Sequence, residues 1–263
     1  MRKTRPKVGL ALGGGAARGF AHIGVLKVLE ENDIPIDYIA GASMGAIIGA
    51  HYALHKNVPL LEHIAVKLRK RDMVKLIRFN SLKKSLISGR KIDLFLRELM
   101  QDKSFSDTKI KFKLVTTDII RGDEVILSKG NIVDALNASY CIPGIFEPVK
   151  IGNKYLVDGG VVNNTPANVV EKMGADIVIA VDLTIKSVPV INDFTLFKTL
   201  NQTFEIFRIQ STKKILKQSK DAIIINPKFK KTDSLKFQDV ERFIKLGEEV
   251  AEKALPKIRR RLK

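Results

Sequence analysis

The sequence predicts an α/β fold with a largely parallel sheet, and three observations lead to this prediction. Two short apolar segments, residues 8–12 and 36–40, each run into a glycine-containing turn and then into a helix-like segment. A third apolar segment, residues 175–183, follows another helix-like stretch. This alternation is typical of parallel sheets whose crossovers are helices. With 263 residues, 45% of them hydrophobic, the chain is long enough to bury a substantial core.

The elements are predicted in order along the chain. The first helix, residues 16–32, follows three consecutive glycines, and the second, residues 44–54, follows Ser43. Residues 57–107 are amphipathic, basic and without clear strands, so we expect a helical insertion. The remaining predicted elements are a hairpin of 109–120 and 124–128, a helix 131–142, a strand 154–158, a helix 165–173, a strand 175–183, a helix 194–220, a strand 222–226 and a basic C-terminal helix. We therefore divide the chain into a domain of residues 8–226, interrupted by the insertion, and a helical tail of residues 227–263.

The net charge of +18 is concentrated in two segments. Residues 67–91 hold ten Lys or Arg and one acid, and residues 213–263 hold sixteen Lys or Arg and seven acids. Such segments predict contact with a polyanionic surface, either nucleic acid or anionic lipid headgroups, although solvated helix faces would give the same composition. The absence of tryptophan, 6% aromatic residues and the lack of a recognised module argue against nucleic acid.

The cysteine content and the hydropathy indicate the compartment. A single cysteine, Cys141, excludes an internal disulfide framework and fits a reducing environment. No apolar run approaches the roughly 20 residues that span a bilayer. We expect a cytoplasmic protein, with peripheral membrane contact through the two basic segments.

Ser43 stands in the sequence Gly41-Ala42-Ser43-Met44-Gly45, which matches the G-x-S-x-G pattern of a nucleophile elbow. A strand is predicted before it and a helix after it, as that motif requires. Glycines suit the flanking positions because side chains there would collide with the neighbouring strand and helix. The alternative is a glycine-rich turn with an incidental serine.

A serine nucleophile needs a base, and the histidines do not supply one. The only four are His22, His51, His55 and His63, so none follows residue 63. His51 lies eight residues beyond Ser43 on the same predicted helix, about 12 Å along its axis. An ordinary Ser–His–acid triad is therefore not predicted.

A carboxylate acting directly on the serine remains as the base. Asp158 ends a predicted strand and is followed by Gly159 and Gly160, which allow a sharp turn and leave the carboxylate accessible. As a base it would need a raised pKa or a well-placed hydrogen bond to Ser43, because free aspartate titrates near about 3.9. A simple turn is the alternative for this motif.

The glycines at positions 13, 14 and 15 precede a helix, so their N–H groups could stabilise a developing negative charge. Arg18, on the next turn, could anchor this loop or meet a phosphate headgroup. The loop could also be a dinucleotide site, and Asp33 and Asp37 lie near the spacing of a ribose-binding acid. That alternative fits poorly because Arg18 stands where G-x-G-x-x-G requires glycine.

Together the stretches LGGGAARGFAHIGVL, GASMG, ASYCIPGIFEPV and DGGVVNNTP resemble the patatin-like phospholipase family, in particular its small bacterial-type members, over roughly residues 8–182. The resemblance implies a three-layer α/β/α fold and hydrolysis of lipid acyl esters by a Ser–Asp dyad without histidine. It also implies no metal and no cofactor. The residues it implies are Ser43 as nucleophile, Asp158 as proton acceptor, Gly13, Gly14 and Gly15 as the oxyanion hole, and Arg18, Gly19, Gly41, Gly45, Gly159 and Gly160 in support, with Asn163, Asn164 and Pro166 shaping the loop after Asp158.

With this resemblance, the insertion of residues 57–107 is predicted as a lid over the acyl site, and its charge as an anchor on anionic lipid. The expected partner is a lipid or other acyl-ester substrate. A non-catalytic regulator that keeps the same fold is the competing hypothesis. The sequence indicates neither the particular ester nor the oligomeric state.

Overall fold

An eight-stranded mixed sheet forms the centre of the protein, seen in a computed structural model that describes residues 5–70, 89–185, 195–219, 221–230 and 236–263. Seven strands follow the order β5-β6-β3-β2-β1-β7-β8, and β4 pairs with β3. β1, β2, β3, β7 and β8 are mutually parallel, while β4 and β6 run antiparallel to β3 and β5 runs antiparallel to β6. The strands are β1 Val8–Leu12, β2 Tyr38–Ala42, β3 Lys111–Asp118, β4 Glu124–Leu127, β5 Val149–Ile151, β6 Lys154–Asp158, β7 Ile177–Val181 and β8 Ile223–Ile225.

Helices cover both faces of the sheet. Because successive strand residues point to opposite faces, β1 sends Leu10 and Leu12 into a large core with α1, α2 and α8, and Ala11 into a smaller core with α6 and α7. The predicted three-layer α/β/α fold is thus confirmed. The helices are α1 Ala21–Glu31, α2 Met44–His55, α3 Val58–Lys70, α4 Arg90–Met100, α5 Ile132–Ser139, α6 Ala167–Lys172, α7 Leu196–Gln218 and α8 Val240–Leu262, with 3-10 turns at Ala16–Phe20, Phe105–Asp107 and Gly159–Val161.

Several predicted boundaries differ from the observed ones. The segment predicted as one helix over 16–32 begins as a 3-10 turn, because Ala16 has a φ of 48° and interrupts the α-helical geometry until Ala21. β2 begins at Tyr38 rather than at residue 36, since the side chain of Asp37 is used to accept the N–H of Val8. The edge strand β5 has only three residues and was not predicted.

The C-terminal helix α8 packs along α1 in the large core. Phe243 and Ile244 are buried there. Gly24 of α1 lies so close to the carbonyl of Ile244 that a side chain would overlap it, and Gly247 of α8 approaches the carbonyl of Ala21 in the same way. The segment predicted as a tail, residues 227–263, therefore contributes a helix to the domain core.

The described parts of the predicted insertion are helical. They comprise α3 and α4, joined by residues that lie outside the described ranges. Residues 71–88 of the lid predicted over 57–107, and with them most of the basic segment 67–91, lie outside the described ranges. Within the described ranges, no helix is both long enough and apolar enough to cross a bilayer.

Candidate active site

Ser43 and Asp158 are brought together because β2 and β6 lie end to end along one edge of β3. In the parallel pair, Ala42 at the end of β2 is opposite Val115 of β3. In the antiparallel pair, Asp158 at the end of β6 is opposite the next residue, Thr116. β4 already occupies the other edge of β3 at Thr116, so β6 must share the edge used by β2. Register alone thus places the carboxylate beside the turn that follows β2.

The turn at Ser43 has the backbone of a nucleophile elbow. Its φ of 52° and ψ of −126° lie in the left-handed half of φ/ψ space, which is strained for a serine. The N–H of Ser43 donates to Ser139 Oγ at 3.0 Å, and that hydroxyl donates to the carbonyl of Val115 at 2.9 Å. Ser139 therefore fastens the elbow to β3.

The predicted glycines of the elbow are required by close approach. A Cβ at Gly41 would stand 2.6 Å from the Cα of Ala46 in α2. A Cβ at Gly45 would overlap the carbonyl oxygen of Leu12 in β1. The first turn of α2 therefore presses directly on β1 and β2, and this contact fixes the position of Ser43.

The prediction that Gly159 and Gly160 leave the Asp158 carboxylate accessible is wrong in this conformation, because Asp158 is buried. Only one of its two carboxylate oxygens has a hydrogen-bond partner in the described part of the chain. Its side chain is 1% exposed, and Oδ1 accepts the N–H of Gly160 at 2.7 Å. Oδ2 has no hydrogen-bond partner among the described residues. Burial raises the pKa of Asp158 to about 6, while Gly160, the Ser43 hydroxyl and the charge of Arg208 act in the opposite direction. Ser43 thus lies close enough to influence the carboxyl, although no hydrogen bond of ordinary geometry joins them.

The glycine loop contacts Ser43, but two of its three predicted donors are already used. Gly13 donates its N–H to Val181 at 3.0 Å, and Gly14 donates its N–H to the carbonyl of Asn164 at 3.0 Å. The prediction that all three glycines offer free N–H groups is therefore wrong for Gly13 and Gly14 in this conformation, because β7 and the segment after Asp158 hold them.

Gly15 is the member of the loop whose N–H is available. No hydrogen bond between described residues uses it. A Cβ on the preceding Gly14 would stand 3.1 Å from the Cβ of Ser43, so this part of the loop lies directly over the elbow. The start of α2 adds its own unpaired N–H groups and the positive end of its dipole.

Arg18 anchors the glycine loop from inside the protein. It is fully buried, and its guanidinium donates to the carbonyl of Gly15 at 3.3 Å and to Glu205 of α7 at 3.0 Å. Burial and the charge of Arg208 lower the pKa of Arg18. Of the two predicted roles, loop anchoring is the one observed, whereas a contact with a lipid headgroup is excluded in this conformation by burial.

Arg208 of α7 forms the second half of this buried network. Its Nη2 donates to the carbonyl of Gly14, its Nε donates to Asn164 Oδ1 at 2.9 Å, and its Nη1 donates to Glu205 at 2.6 Å. Neither Arg208 nor Glu205 was predicted as a site residue. The only available signal was the spacing of Glu205, Arg208 and Thr212, which puts their side chains on one face of the predicted helix.

The other predicted supporting residues line the same region. Gly19 packs directly against Met44, the residue after the nucleophile. Gly159 approaches the carbonyl of Val115 so closely that a side chain would not fit. Asn163 donates to Asn168 at 2.8 Å and also to Glu124, and Pro166 precedes α6.

Cys141 and the histidines have packing roles. Cys141 is buried, and burial raises the pKa of its thiol to about 12, so the thiol is neutral. Buried His22 bonds the carbonyl of Gly13 through Nε2 at 2.7 Å, and burial lowers its pKa to about 4. His51 contacts His55, with ring centroids 4.5 Å apart and the ring planes tilted by 47°. In the described part of the chain, no histidine forms a hydrogen bond with Ser43 or Asp158.

Other cavities and clusters do not compete with this site. A cavity of about 420 Å³ lies between β4, α5 and β5, and neither Ser43 nor Asp158 lines it. The described residues contain no group of three or more His, Cys, Asp or Glu side chains placed to hold a metal ion.

A family model described as patatin-like phospholipase matches residues 10–170, which include both Ser43 and Asp158. The chain belongs to the patatin-like phospholipase family. The predicted resemblance is therefore confirmed, and the family is in general one of lipid hydrolases.

Relatives in several organisms support the assignment. An uncharacterized NTE family protein of Mycobacterium tuberculosis is 33% identical over 180 residues, which cover 68% of this chain and 50% of the relative. Patatin-like phospholipase domain-containing protein 6 of Homo sapiens is 34% identical over 191 residues, covering 68% of this chain and 14% of the relative. Neuropathy target esterase sws of Drosophila melanogaster is 34% identical over 186 residues, covering 68% of this chain and 13% of the relative. The chain thus matches half or less of the length of these relatives.

Two solved structures share the patatin fold. VipD from Legionella pneumophila aligns with a TM-score of 0.55 at 14% identity, covering 96% of this chain and 67% of that one. ExoU in its complex with SpcU from Pseudomonas aeruginosa aligns with a TM-score of 0.53 at 16% identity, covering 98% of this chain and 52% of the ExoU chain. At this identity the likeness concerns the fold alone.

Proposed function

We propose that the protein is a serine lipid acyl hydrolase that acts through a Ser43–Asp158 dyad and an acyl-enzyme on Ser43. The observation that supports the dyad is that Asp158 Oδ2 is buried without a partner among the described residues, while the Ser43 hydroxyl lies close enough to lower the pKa of the same carboxyl. A buried carboxylate oxygen is ordinarily hydrogen-bonded, so an unpartnered one next to a strained serine favours a catalytic role.

The environment of Asp158 suits a general base at neutral pH. A pKa of about 6 leaves the carboxylate ionised at pH 7, yet makes it a stronger base than an ordinary aspartate. Asp158 takes the proton of Ser43 as the Ser43 oxygen attacks the ester carbonyl. The protonated Asp158 then gives this proton to the leaving alkoxide, and the acyl group remains on Ser43. In the second half, Asp158 takes a proton from water, whose oxygen attacks the acyl carbonyl, and returns the proton to Ser43 as the fatty acid departs.

The negative charge on the carbonyl oxygen is stabilised by the glycine loop and the start of α2. Gly15 supplies an N–H that is not otherwise used, and the dipole of α2 ends at Ser43. Gly13 and Gly14 contribute by holding the loop in place rather than as donors. Gly14 would become a donor only if it released Asn164.

The substrate class is a lipid acyl ester, of the kind cut by phospholipases A and lysophospholipases. Family membership supports lipid as the substrate, and the missing histidine supports a dyad rather than a triad. We further propose a cytoplasmic location with peripheral contact to membranes, consistent with the basic composition.

The test is fatty-acid release from phosphatidylcholine and lysophosphatidylcholine in mixed micelles. We expect turnover by the unmodified chain, none by Ser43→Ala and a strong loss in Asp158→Asn. Ser106→Ala, at an exposed position, is the matched control and should be fully active. Full activity of Ser43→Ala would contradict the nucleophile, and inactivity of a folded wild type on every acyl ester would favour a regulator with the same fold.

A further inference from the structure

The long helix α7 exposes several large apolar side chains, although it also buries Phe204, Ile209 and Ile215. Its inner face buries Glu205, Arg208 and Thr212. Its outer face exposes large apolar side chains: Leu196 is 77% exposed, Leu200 43%, Phe207 48% and Ile206 38%. A surface helix normally turns such residues inward. Single exposed apolar residues are common, but four within three turns of one helix form a patch.

The outer face of α7 adjoins the active site. A Cβ on Gly144 would stand 3.1 Å from Leu200 Cδ1, so Leu200 lies against the loop that follows Cys141. The carbonyl of Cys141 accepts the N–H of Asp158 at 2.9 Å. On the opposite face of the helix, Arg208 reaches the glycine loop. The exposed patch therefore contacts a loop whose first residue is hydrogen-bonded to Asp158.

The charge on α7 matches an anionic surface. Its only acidic residue, Glu205, is buried, whereas Lys213, Lys214 and Lys217 in its last two turns are exposed. Leu200, Phe207 and Lys214 are seven residues apart in sequence, so they follow one stripe along the outer face. The face is thus apolar in its first half and basic in its second half, with no exposed carboxylate.

We infer that the outer face of α7 docks onto an anionic lipid bilayer. Leu196, Leu200 and Phe207 enter the boundary between headgroups and acyl chains, and the lysines bind the headgroups. This inference rests on the proposed lipid hydrolase function. It assigns the membrane-binding surface of the enzyme, because docking by α7 brings the loops that hold Ser43 and Asp158 towards the lipid. A second copy of the chain is a poorer occupant, since pairing two such faces would either bring the lysines together or set them against the apolar half of the partner.

Vesicle binding by full-length variants tests this surface. All variants are made in the Ser43→Ala background, so the lipid is not hydrolysed and the outcome does not depend on whether the enzyme turns over. Leu200→Asp and Phe207→Asp are compared with Leu60→Asp, which replaces a side chain of similar exposure, 39%, in α3 beyond the far end of α2. Thermal unfolding confirms that each protein is folded. Binding is measured by co-sedimentation with phosphatidylcholine vesicles, with and without phosphatidylglycerol.

We expect the Ser43→Ala protein and the Leu60→Asp control to bind vesicles that contain phosphatidylglycerol, and this binding to weaken as salt is raised. Leu200→Asp and Phe207→Asp should each weaken it by about tenfold or more, since burial of one such side chain is worth at least that factor. Unchanged binding of both variants, or no binding by the parent, would overturn the inference. So would a dimer that both variants dissociate without a change in vesicle binding. Failure of fatty-acid release alone would count against the proposed function and leave the docking surface standing.

Discussion

Arg208 and Glu205, one helical turn apart on α7, form a buried ion pair in which Nη1 and Oε1 are separated by 2.6 Å. Arg18 approaches the same carboxylate to 3.0 Å. Burial alone would raise the pKa of Glu205, but the charges and hydrogen bonds of Arg208 and Arg18 lower it overall, so the carboxylate is ionised. Through this cluster α7 holds the glycine loop, since Arg18 bonds Gly15 and Arg208 bonds Gly14.

Replacement of Arg208 by lysine tests this positioning role. Arg208→Lys keeps the charge but cannot bond Gly14, Asn164 and Glu205 at once. We expect kcat to fall by about 100-fold with little change in KM, because a small displacement of the oxyanion donor costs about that factor. The free energy of unfolding should fall by about 2–4 kcal/mol. Arg260→Lys, at an exposed position of α8, is the control. Loss of stability with an unchanged kcat would reduce Arg208 to a structural residue.

Ser139 is expected to hold the elbow. Ser139→Ala leaves the N–H of Ser43 without its acceptor, which should cost about 1–3 kcal/mol in the free energy of unfolding and about tenfold in kcat. Ser106→Ala serves as the control in urea unfolding and ester turnover. An equal effect of the two substitutions would show that the hydrogen bond to Ser43 does not matter.

The larger features of the fold and the turn at Ser43 were predictable from sequence, because they depend on local pattern. The alternation of apolar strands and helices predicted the layers of the α/β fold, and the strand–turn–helix pattern around Ser43 predicted the tight turn at this residue. Pairings between distant segments carry no such pattern. Three features depend on tertiary register instead. β6 pairs with β3 along the same edge as β2, and the carbonyl of Asn164 accepts the N–H of Gly14. Arg208 reaches the glycine loop although 194 residues separate it from Gly14 in sequence. The same reason explains why α8 was predicted as a tail.

Activity should depend on pH through Asp158. Because burial raises the pKa of this base to about 6, kcat/KM for a soluble ester should rise with pH, with a midpoint near pH 6, and then level off. The profile is measured with a substrate that does not titrate between pH 4 and pH 8. A midpoint at about pH 4, the ordinary pKa of aspartate, would mean that the base is solvated in the working enzyme.

The same shift predicts that removing the carboxylate stabilises the fold. Between about pH 4 and pH 6 the folded protein retains a proton on Asp158 that the unfolded chain loses, so stability falls as the pH rises through this window. Above about pH 6 the Asp158 carboxylate is charged in both states, so the full free-energy cost of burying this charge opposes folding. Asp158→Asn should therefore raise the free energy of unfolding by up to about 3 kcal/mol at pH 8 and change it little at pH 4. A destabilised variant at pH 8 would contradict a buried, unpartnered carboxylate.

Close packing of α2 on β1 predicts unequal losses of stability from alanine at two glycines of one helix. A methyl group at Gly45 would overlap the carbonyl of Leu12, so Gly45→Ala should destabilise the protein by about 3 kcal/mol or more. At Gly49 the nearest atoms belong to the side chains of Ile39, Leu12 and Phe112, at 3.0–3.2 Å, so a methyl group needs only small shifts of side chains, and alanine favours the helix. Gly49→Ala should therefore change stability by no more than about 1 kcal/mol. Similar thermal unfolding of both variants would be the contrary result.

Labelling by a fluorescent fluorophosphonate tests most directly whether Ser43 is an activated nucleophile. We expect the unmodified chain to be labelled at Ser43, as located by peptide mass spectrometry, with no labelling of Ser43→Ala and slow labelling of Asp158→Asn. The reaction is run with and without phosphatidylglycerol vesicles, so that a site closed in solution is not mistaken for an inactive one. A folded wild type that remains unlabelled under both conditions, or labelling that persists in Ser43→Ala, would contradict the Ser43–Asp158 dyad.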